Sequence, residues 1–125
     1  MRLILDTHVV LWLMRDDPHL TAEARAFIAG AAEVFVSAAS LWEISIKASL
    51  GKLDVNPDRL INRMAEAGIA ELPVLFKHAA ASGSLPFHHR DPFDRLLVAQ
   101  AMSEPMNLLT FDPLLRRYSE LVTVV

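Results

Sequence analysis

Four carboxylates stand where a side chain can do chemistry rather than only keep a surface wet. Asp6 directly follows the apolar run RLIL, and Asp112 comes two residues after the run LLT. Glu43 lies in the early turns of a helix that follows VFV, and Asp94 lies in the first turn of a helix opened by Asp91-Pro92. If those runs are strands of one parallel sheet, the first three acids fall near its carboxyl edge, where ligands of such sheets bind. Asp94 reaches the same edge if its helix docks with its N-terminus there. It shares a helix face with Leu97, Val98 and Ala101, so it points along the core-facing stripe. Carboxylates aimed into one cleft repel each other and raise each other's pKa unless a cation neutralises them. Oxygen-only ligands favour Mg2+ or Mn2+, with part of the coordination left to water and substrate phosphate. That arrangement suits hydrolysis of a phosphodiester by a metal-activated water.

Taken one at a time, the acids have plainer explanations. Asp6, Asp91 and Asp112 can each cap the helix that follows, the last two with proline in the first turn. Glu43 can close a capping box with Ser40 or pair with Lys47 one turn on. Among the cations, Lys47, Arg90 and Arg95 lie near the acids in sequence or helix register and are candidates to contact substrate phosphates; solvated charge, or ion pairing with the same acids, is the plainer alternative. Five histidines occur, His88-His89 and His8 near the acids, but no spaced pair faces one way on a helix as a zinc site would need.

The elements that must position these groups are short. Strands are expected over residues 2–5, 34–36, 69–74 (interrupted by Pro73), 108–110 and 121–125. Helices are expected over 8–14, 21–31 behind a Thr21 cap, 38–50 closed by Gly51, 56–68 opened by Asn56-Pro57 and closed by Gly68, 76–81, 91–103, and briefly after Asp112-Pro113, with a loop over 82–90. The alternation predicts an α/β domain with a mostly parallel sheet and helices on both faces.

The bulk numbers bound the remaining choices. The 125 residues suit one domain, 1–125, with 53% hydrophobic residues to fill its core. The absence of cysteine excludes disulfides, thiolate nucleophiles and cysteine–zinc sites. A formal charge of −3 argues against a nucleic-acid coating protein but not against an enzyme that holds cations in an acidic site. No apolar stretch approaches a membrane span, and the first apolar run is too short for a signal peptide, so a cytoplasmic location is expected. The high apolar fraction leaves surface for a homodimer and for a groove that takes a partner segment, and Trp12 and Trp42 are expected in the core or at such a surface.

Four segments, LILDTHVVLW, VSAASLWEISIKASLGKL, HHRDPFDRLLVAQAM and LLTFDPLLRRY, resemble PIN domains, and more narrowly the VapC-type toxins of bacterial toxin–antitoxin pairs. The resemblance covers nearly the whole chain and keeps the family order. It implies a three-layer α/β/α sandwich around a parallel sheet of about five strands. It also implies a Mg2+- or Mn2+-dependent ribonuclease acting on RNA and held by a cognate antitoxin. Carried over residue by residue, it assigns Asp6, Glu43, Asp94 and Asp112 to the acidic set, with Thr7 and Thr110 as supporting hydroxyls. Asp91 belongs to the DPFD pattern of one subgroup, as a cap or a metal contact through water. The stretch SEPMN at 103–107 departs from the small, Gly-containing turn expected there. The alternatives are a non-catalytic PIN-like module that binds RNA or protein, a phosphoryl-transfer domain such as a receiver, and a DNA-directed nuclease. A receiver would need a lysine near the last strand, and no lysine follows Lys77.

Overall fold

In the computed structural model, which describes Met1–Val125, strand β1 (Arg2–Leu5) runs through the middle of the molecule, with Leu3, Ile4 and Leu5 fully buried. A strand buried on both faces reads as a continuous apolar run, which is why RLIL shows no polar alternation. It pairs in parallel with β2 (Glu33–Ser37) on one side and β4 (Asn107–Thr110) on the other. β3 (Ala70–Leu72) and β5 (Val122–Val124) flank these, giving the order β3-β2-β1-β4-β5 with every pairing parallel.

The helices are α1 (Thr7–Met14), α2 (Ala22–Ala29), α3 (Ala38–Ser49), α4 (Pro57–Glu66), α5 (Phe76–Ser84) and α6 (Pro92–Ser103), with a 3-10 turn at Pro113–Arg117. They form two outer layers. Leu3 and Leu5 face a core shared with Val9, Val10, Ile44 and Leu60 of α1, α3 and α4. Ile4 and Leu108 face the other, with Leu97 and Val98 of α6 and Leu115 of the 3-10 turn. Each such side chain, fully buried, contributes about 1.5–3 kcal/mol relative to exposure. The result is a three-layer α/β/α sandwich, all-parallel where the sequence suggested mostly parallel. No helix is long and apolar enough to cross a membrane.

Local signals set most helix ends. Thr21, Asn56, Asp91 and Asp112 accept from the backbone N–H two or three residues on, as the polar residue before each helix suggested. Gly51 and Gly68, at φ 72° and 78°, follow α3 and α4 in the left-handed conformation that glycine takes without strain. Among the boundaries that differ from expectation, three have a visible cause or consequence. α1 begins at Thr7, because the Asp6 side chain already caps it. β3 is only three residues long at the sheet edge, and the Pro73 carbonyl accepts from Gln100 Nε2 at 3.2 Å instead of continuing a ladder. α5 runs on to Ser84, which shortens the expected loop to residues 85–91.

Candidate active site

Parallel pairing puts the ends of β1, β2 and β4 at one edge, and the N-termini of α1 and α3 start there. Asp6 leaves β1 with its backbone N–H donating to Leu109 O at 3.0 Å, then caps α1 through Oδ1, which accepts from Val9 N at 3.1 Å. Its Oδ2 accepts from Thr110 Oγ1 at 2.5 Å. Asp6 is 5% exposed, and burial pushes its carboxyl pKa up against the opposing effect of the Thr110 and Val9 bonds. Thr110 Oγ1 in turn accepts from Asp112 N at 3.1 Å, so one hydroxyl ties the two acids at the ends of β1 and β4.

Glu43 is equally buried on α3. Its Oε1 accepts from Thr7 Oγ1 and its Oε2 from Lys47 Nζ, both at 2.8 Å. Of the two plain alternatives for Glu43, the capping box with Ser40 does not form, since Ser37 caps α3 and Ser40 Oγ has no hydrogen-bond partner. The i,i+4 pair with Lys47 does form, and that bond holds the lysine's pKa above its usual value. Thr7 and Thr110 thus each donate to one member of the acidic set.

Asp94, in the first turn of α6, has its pKa pushed up to about 7, by burial first and then by the charges of Asp91, Asp6 and Glu43. Asp112 caps the 3-10 turn through Oδ1, which accepts from Leu114 N at 2.9 Å. Asp91 caps α6 through Oδ1 on Phe93 N at 2.9 Å. Asp6, Glu43, Asp91, Asp94 and Asp112 line one cleft of about 290 Å³ with Lys47. Capping and clustering are therefore compatible: each capping aspartate spends one oxygen on its helix and still borders the cleft.

The cationic candidates separate. Lys47 lines the cleft. Arg90 is exposed and lies outside its lining. Arg95 departs from the expectation that it contacts RNA. It is 7% exposed and turned inward, donating to the carbonyls of Ser82, Leu85 and Pro86 at 2.9–3.0 Å. Its guanidinium also reaches Tyr118 Oη at 3.3 Å and lies over the Phe87 ring at 4.5 Å. Its work is to hold the loop before α6, because desolvated carbonyls need a donor and a planar guanidinium supplies several.

Sequence reasoning missed His89. Its Nε2 lies 2.8 Å from Asp112 Oδ2 and 3.5 Å from Asp94 Oδ2. Its Nδ1 accepts from Asp91 N at 3.0 Å. The signal was present in the HHRD run beside Asp91, but a search for pairs on helices passes over a loop histidine. Trp12 was expected in the core or at a partner surface; it borders the cleft and packs against Phe111 at 4.5 Å. Trp42 is 62% exposed, its ring edge-on to Phe93.

The residues present fit a hard divalent cation. The donor set is carboxylate oxygen, crowded and partly desolvated, and Lys47 is the one lysine or arginine among the lining residues. Burial raises the pKa of Asp6, and burial followed by the charges of Asp91, Asp6 and Glu43 raises that of Asp94, so both acids are held ionised more easily beside a cation. Asp6, Glu43, Asp94 and Asp112 could hold such an ion, directly or through water, with Asp91 beside them.

Comparison with known proteins agrees with this architecture. Among solved structures, VapBC2 from Rickettsia felis bound to a promoter DNA fragment matches over 100% of this chain and 98% of that one, with a TM-score of 0.70 at 14% identity. A toxin–antitoxin complex from Klebsiella pneumoniae matches over 97% and 95%, with a TM-score of 0.68 at 18% identity. FitAcB from Neisseria gonorrhoeae matches over 88% and 87%, with a TM-score of 0.61 at 19% identity. At such identities the likeness is one of fold. No curated protein sequence matches the chain. The PIN domain family model matches residues 3–121, a span that contains every acid of the cleft. With that match over nearly its whole length, on an α/β/α sandwich, the chain belongs to the PIN domain family.

Proposed function

We propose that this protein is a Mg2+- or Mn2+-dependent endoribonuclease that hydrolyses RNA phosphodiester bonds and serves as the toxin of a VapBC-type toxin–antitoxin pair. The observation that carries the reading is the convergence of Asp6, Glu43, Asp94 and Asp112 in one cleft at the carboxyl edge of a PIN-domain sheet. Asp6, Glu43, Asp94 and Asp112 would hold the ion, directly or through water, with Asp91 bordering it. A divalent ion bound there supplies Lewis acidity to the phosphate and makes water a competent nucleophile at neutral pH.

The protein's own groups have separable tasks. Thr110 and Thr7 fix the Asp6 and Glu43 carboxylates by donating to one oxygen of each. The buried floor lets these acids keep one geometry before substrate arrives, which is where preorganisation lowers a barrier. Lys47 neutralises part of the charge on Glu43 and stands in the cleft where an RNA phosphate would approach. Arg90, exposed on the loop before α6, is free to meet the RNA backbone.

The toxin assignment draws support from one structural neighbour described as a toxin–antitoxin complex and another described as VapBC2. An antitoxin partner and a homodimer both suit the exposed apolar side chains, among them Trp42, Leu50 and Phe76. A cytoplasmic location goes with an RNA substrate.

The test is cleavage of RNA by purified protein with EDTA, Mg2+ or Mn2+, alongside Asp6→Asn and Asp94→Asn, with single-stranded DNA of the same sequence in parallel. Metal-restored RNA cleavage, lost in both variants, is expected. Cleavage that survives in both, or that acts on DNA alone, overturns the proposal. Induction in a host with mapping of RNA 5′ ends then identifies the target.

A further inference from the structure

We infer that His89 is a positioning residue of the metal centre, holding Asp112 in place through its Nε2–H rather than binding the ion itself. The inference rests on the metal-dependent reading above and adds a residue to it.

The ring's hydrogen bonds define its tautomer. Nδ1 accepts the Asp91 backbone N–H at 3.0 Å, so the neutral ring carries its proton on Nε2. That Nε2–H points at Asp112 Oδ2, 2.8 Å away, with Asp94 Oδ2 at 3.5 Å. The nearest ligand atoms of His89, Asp94 and Asp112 all lie within 4.8 Å of one another, close enough that this trio could be taken for three ligands. The tautomer argues otherwise. For Nε2 to coordinate an ion, its proton would have to move to Nδ1, where the Asp91 N–H already points. Two N–H groups would then face each other in a partly buried site. A donor on the outer side of a carboxylate meets no such conflict, and outer partners of this kind orient metal-binding carboxylates.

The backbone bearing His89 is itself secured. Its N–H donates to Tyr118 Oη at 2.9 Å, and the same hydroxyl lies 3.3 Å from Arg95 Nη1. Arg95 gathers the carbonyls of the preceding loop, so the ring is held from its own main chain as well as from Nδ1. Asp112 is therefore gripped at both oxygens, by Leu114 N on Oδ1 and by His89 on Oδ2. Without His89, Oδ2 is free to turn toward solvent.

The test separates the ring's two nitrogens. Gln places an N–H near Nε2 and gives up the Nδ1 acceptor; Asn keeps a group near Nδ1 and does not reach Asp112. Mn2+ affinity of the EDTA-stripped full chain is measured by electron paramagnetic resonance for wild type, His89→Gln, His89→Asn and His89→Ala, with a thermal melt of each. Loss of an outer partner typically weakens metal binding about 10–100-fold. The expected result is that loss for Asn and Ala, with Gln recovering most of the wild-type affinity. Retention by Asn with loss in Gln makes the ring only a loop support and overturns the inference. Equal affinity in all four overturns it while leaving the metal centre standing; a wild type that binds no Mn2+ overturns both. Nitrogen-15 spectra of the histidines with and without Mg2+ add a second readout. Nε2 of His89 keeps its proton in both states if it positions Asp112, and loses it on Mg2+ binding if it is a ligand.

Discussion

Replacing Asp94 by Asn should make the metal-free protein more stable at alkaline pH while abolishing the site's use for a metal. The folded carboxyl, with its pKa pushed from 3.8 to about 7, holds a proton more tightly than the unfolded chain does. Protonation therefore favours the folded state, and ionisation opposes it. The penalty is absent below about pH 4, grows between about pH 4 and 7, and is complete above that. At about 1.4 kcal/mol per pH unit, a rise of roughly three units would cost about 4 kcal/mol if Asp94 carried it alone. The side chain is 21% exposed and shares its repulsion with Asp91, Asp6 and Glu43, while His89 and Lys47 face it as partial compensation, so about half that, roughly 2 kcal/mol, is the working figure. Asn imitates the protonated acid at every pH. In urea denaturation with EDTA the variant should exceed wild type by about 2 kcal/mol at pH 8, a rise of roughly 6 °C or more in melting temperature, and match it near pH 4. Saturating Mg2+ should raise wild type alone, because only a site with its acids intact binds the folded state selectively. Equal or lower stability of Asp94→Asn at pH 8 without metal would refute the claim that the acids strain the empty cleft.

Other substitutions separate the capping and chemical roles. Asp6→Asn keeps a helix-capping acceptor, so it should lose metal binding with little change in melting temperature; Asp6→Ala should lose about 1 kcal/mol more in urea denaturation. Arg95→Met leaves the Ser82, Leu85 and Pro86 carbonyls without their donor and should cost about 2–4 kcal/mol, with protease cutting in the 85–91 loop appearing before global unfolding. Glu104, its pKa held down by its hydrogen bond to buried His78 and then by Lys77, contributes stability that is present above its unfolded pKa and lost as pH falls through the lower folded value. The destabilisation by Glu104→Gln should thus be seen in thermal melts at pH 7 and shrink toward pH 3.

Much of the fold was legible because its signals are local. Asp91-Pro92, Asn56-Pro57 and Asp112-Pro113 each set a helix start through an oxygen and an N–H two or three residues apart, so the sequence pattern and the observed bond are nearly the same statement. Strand order was not legible in that way. That β1 lies between β2 and β4 depends on crossovers whose partners are distant in sequence. The same distinction divides the site. Asp6, Glu43 and Asp112 announced themselves by falling just after apolar runs. His89 did not, since its bond to Asp112 spans 23 residues and exists only once β4 returns beside β1. Arg95 misled for a related reason. Register on α6 places it beside Asp94, but nothing in helical periodicity reveals that its long side chain folds back onto the loop before it.

The two sides of the cleft are therefore built differently, and the difference bears on chemistry. Asp6 and Glu43 are sunk into the sheet edge, each fixed by a threonine hydroxyl in the core. Asp94 and Asp112 are more exposed and lean on a loop that Arg95 and Tyr118 secure from outside the sheet. The rigid pair sets the geometry that an ion's ligands must keep, while Asp94 and Asp112 complete the site from a side whose supporting loop can also follow a substrate as it enters and leaves. On that division, loosening the loop by Arg95→Met should raise the substrate KM more than it weakens Mn2+ binding, whereas Thr110→Val, which removes the hydroxyl between Asp6 and Asp112, should weaken Mn2+ binding first. Mn2+ titration and steady-state cleavage on the two variants decide it, and the reverse pattern would mean that the loop side, rather than the sheet edge, dominates the geometry of the ion's ligands.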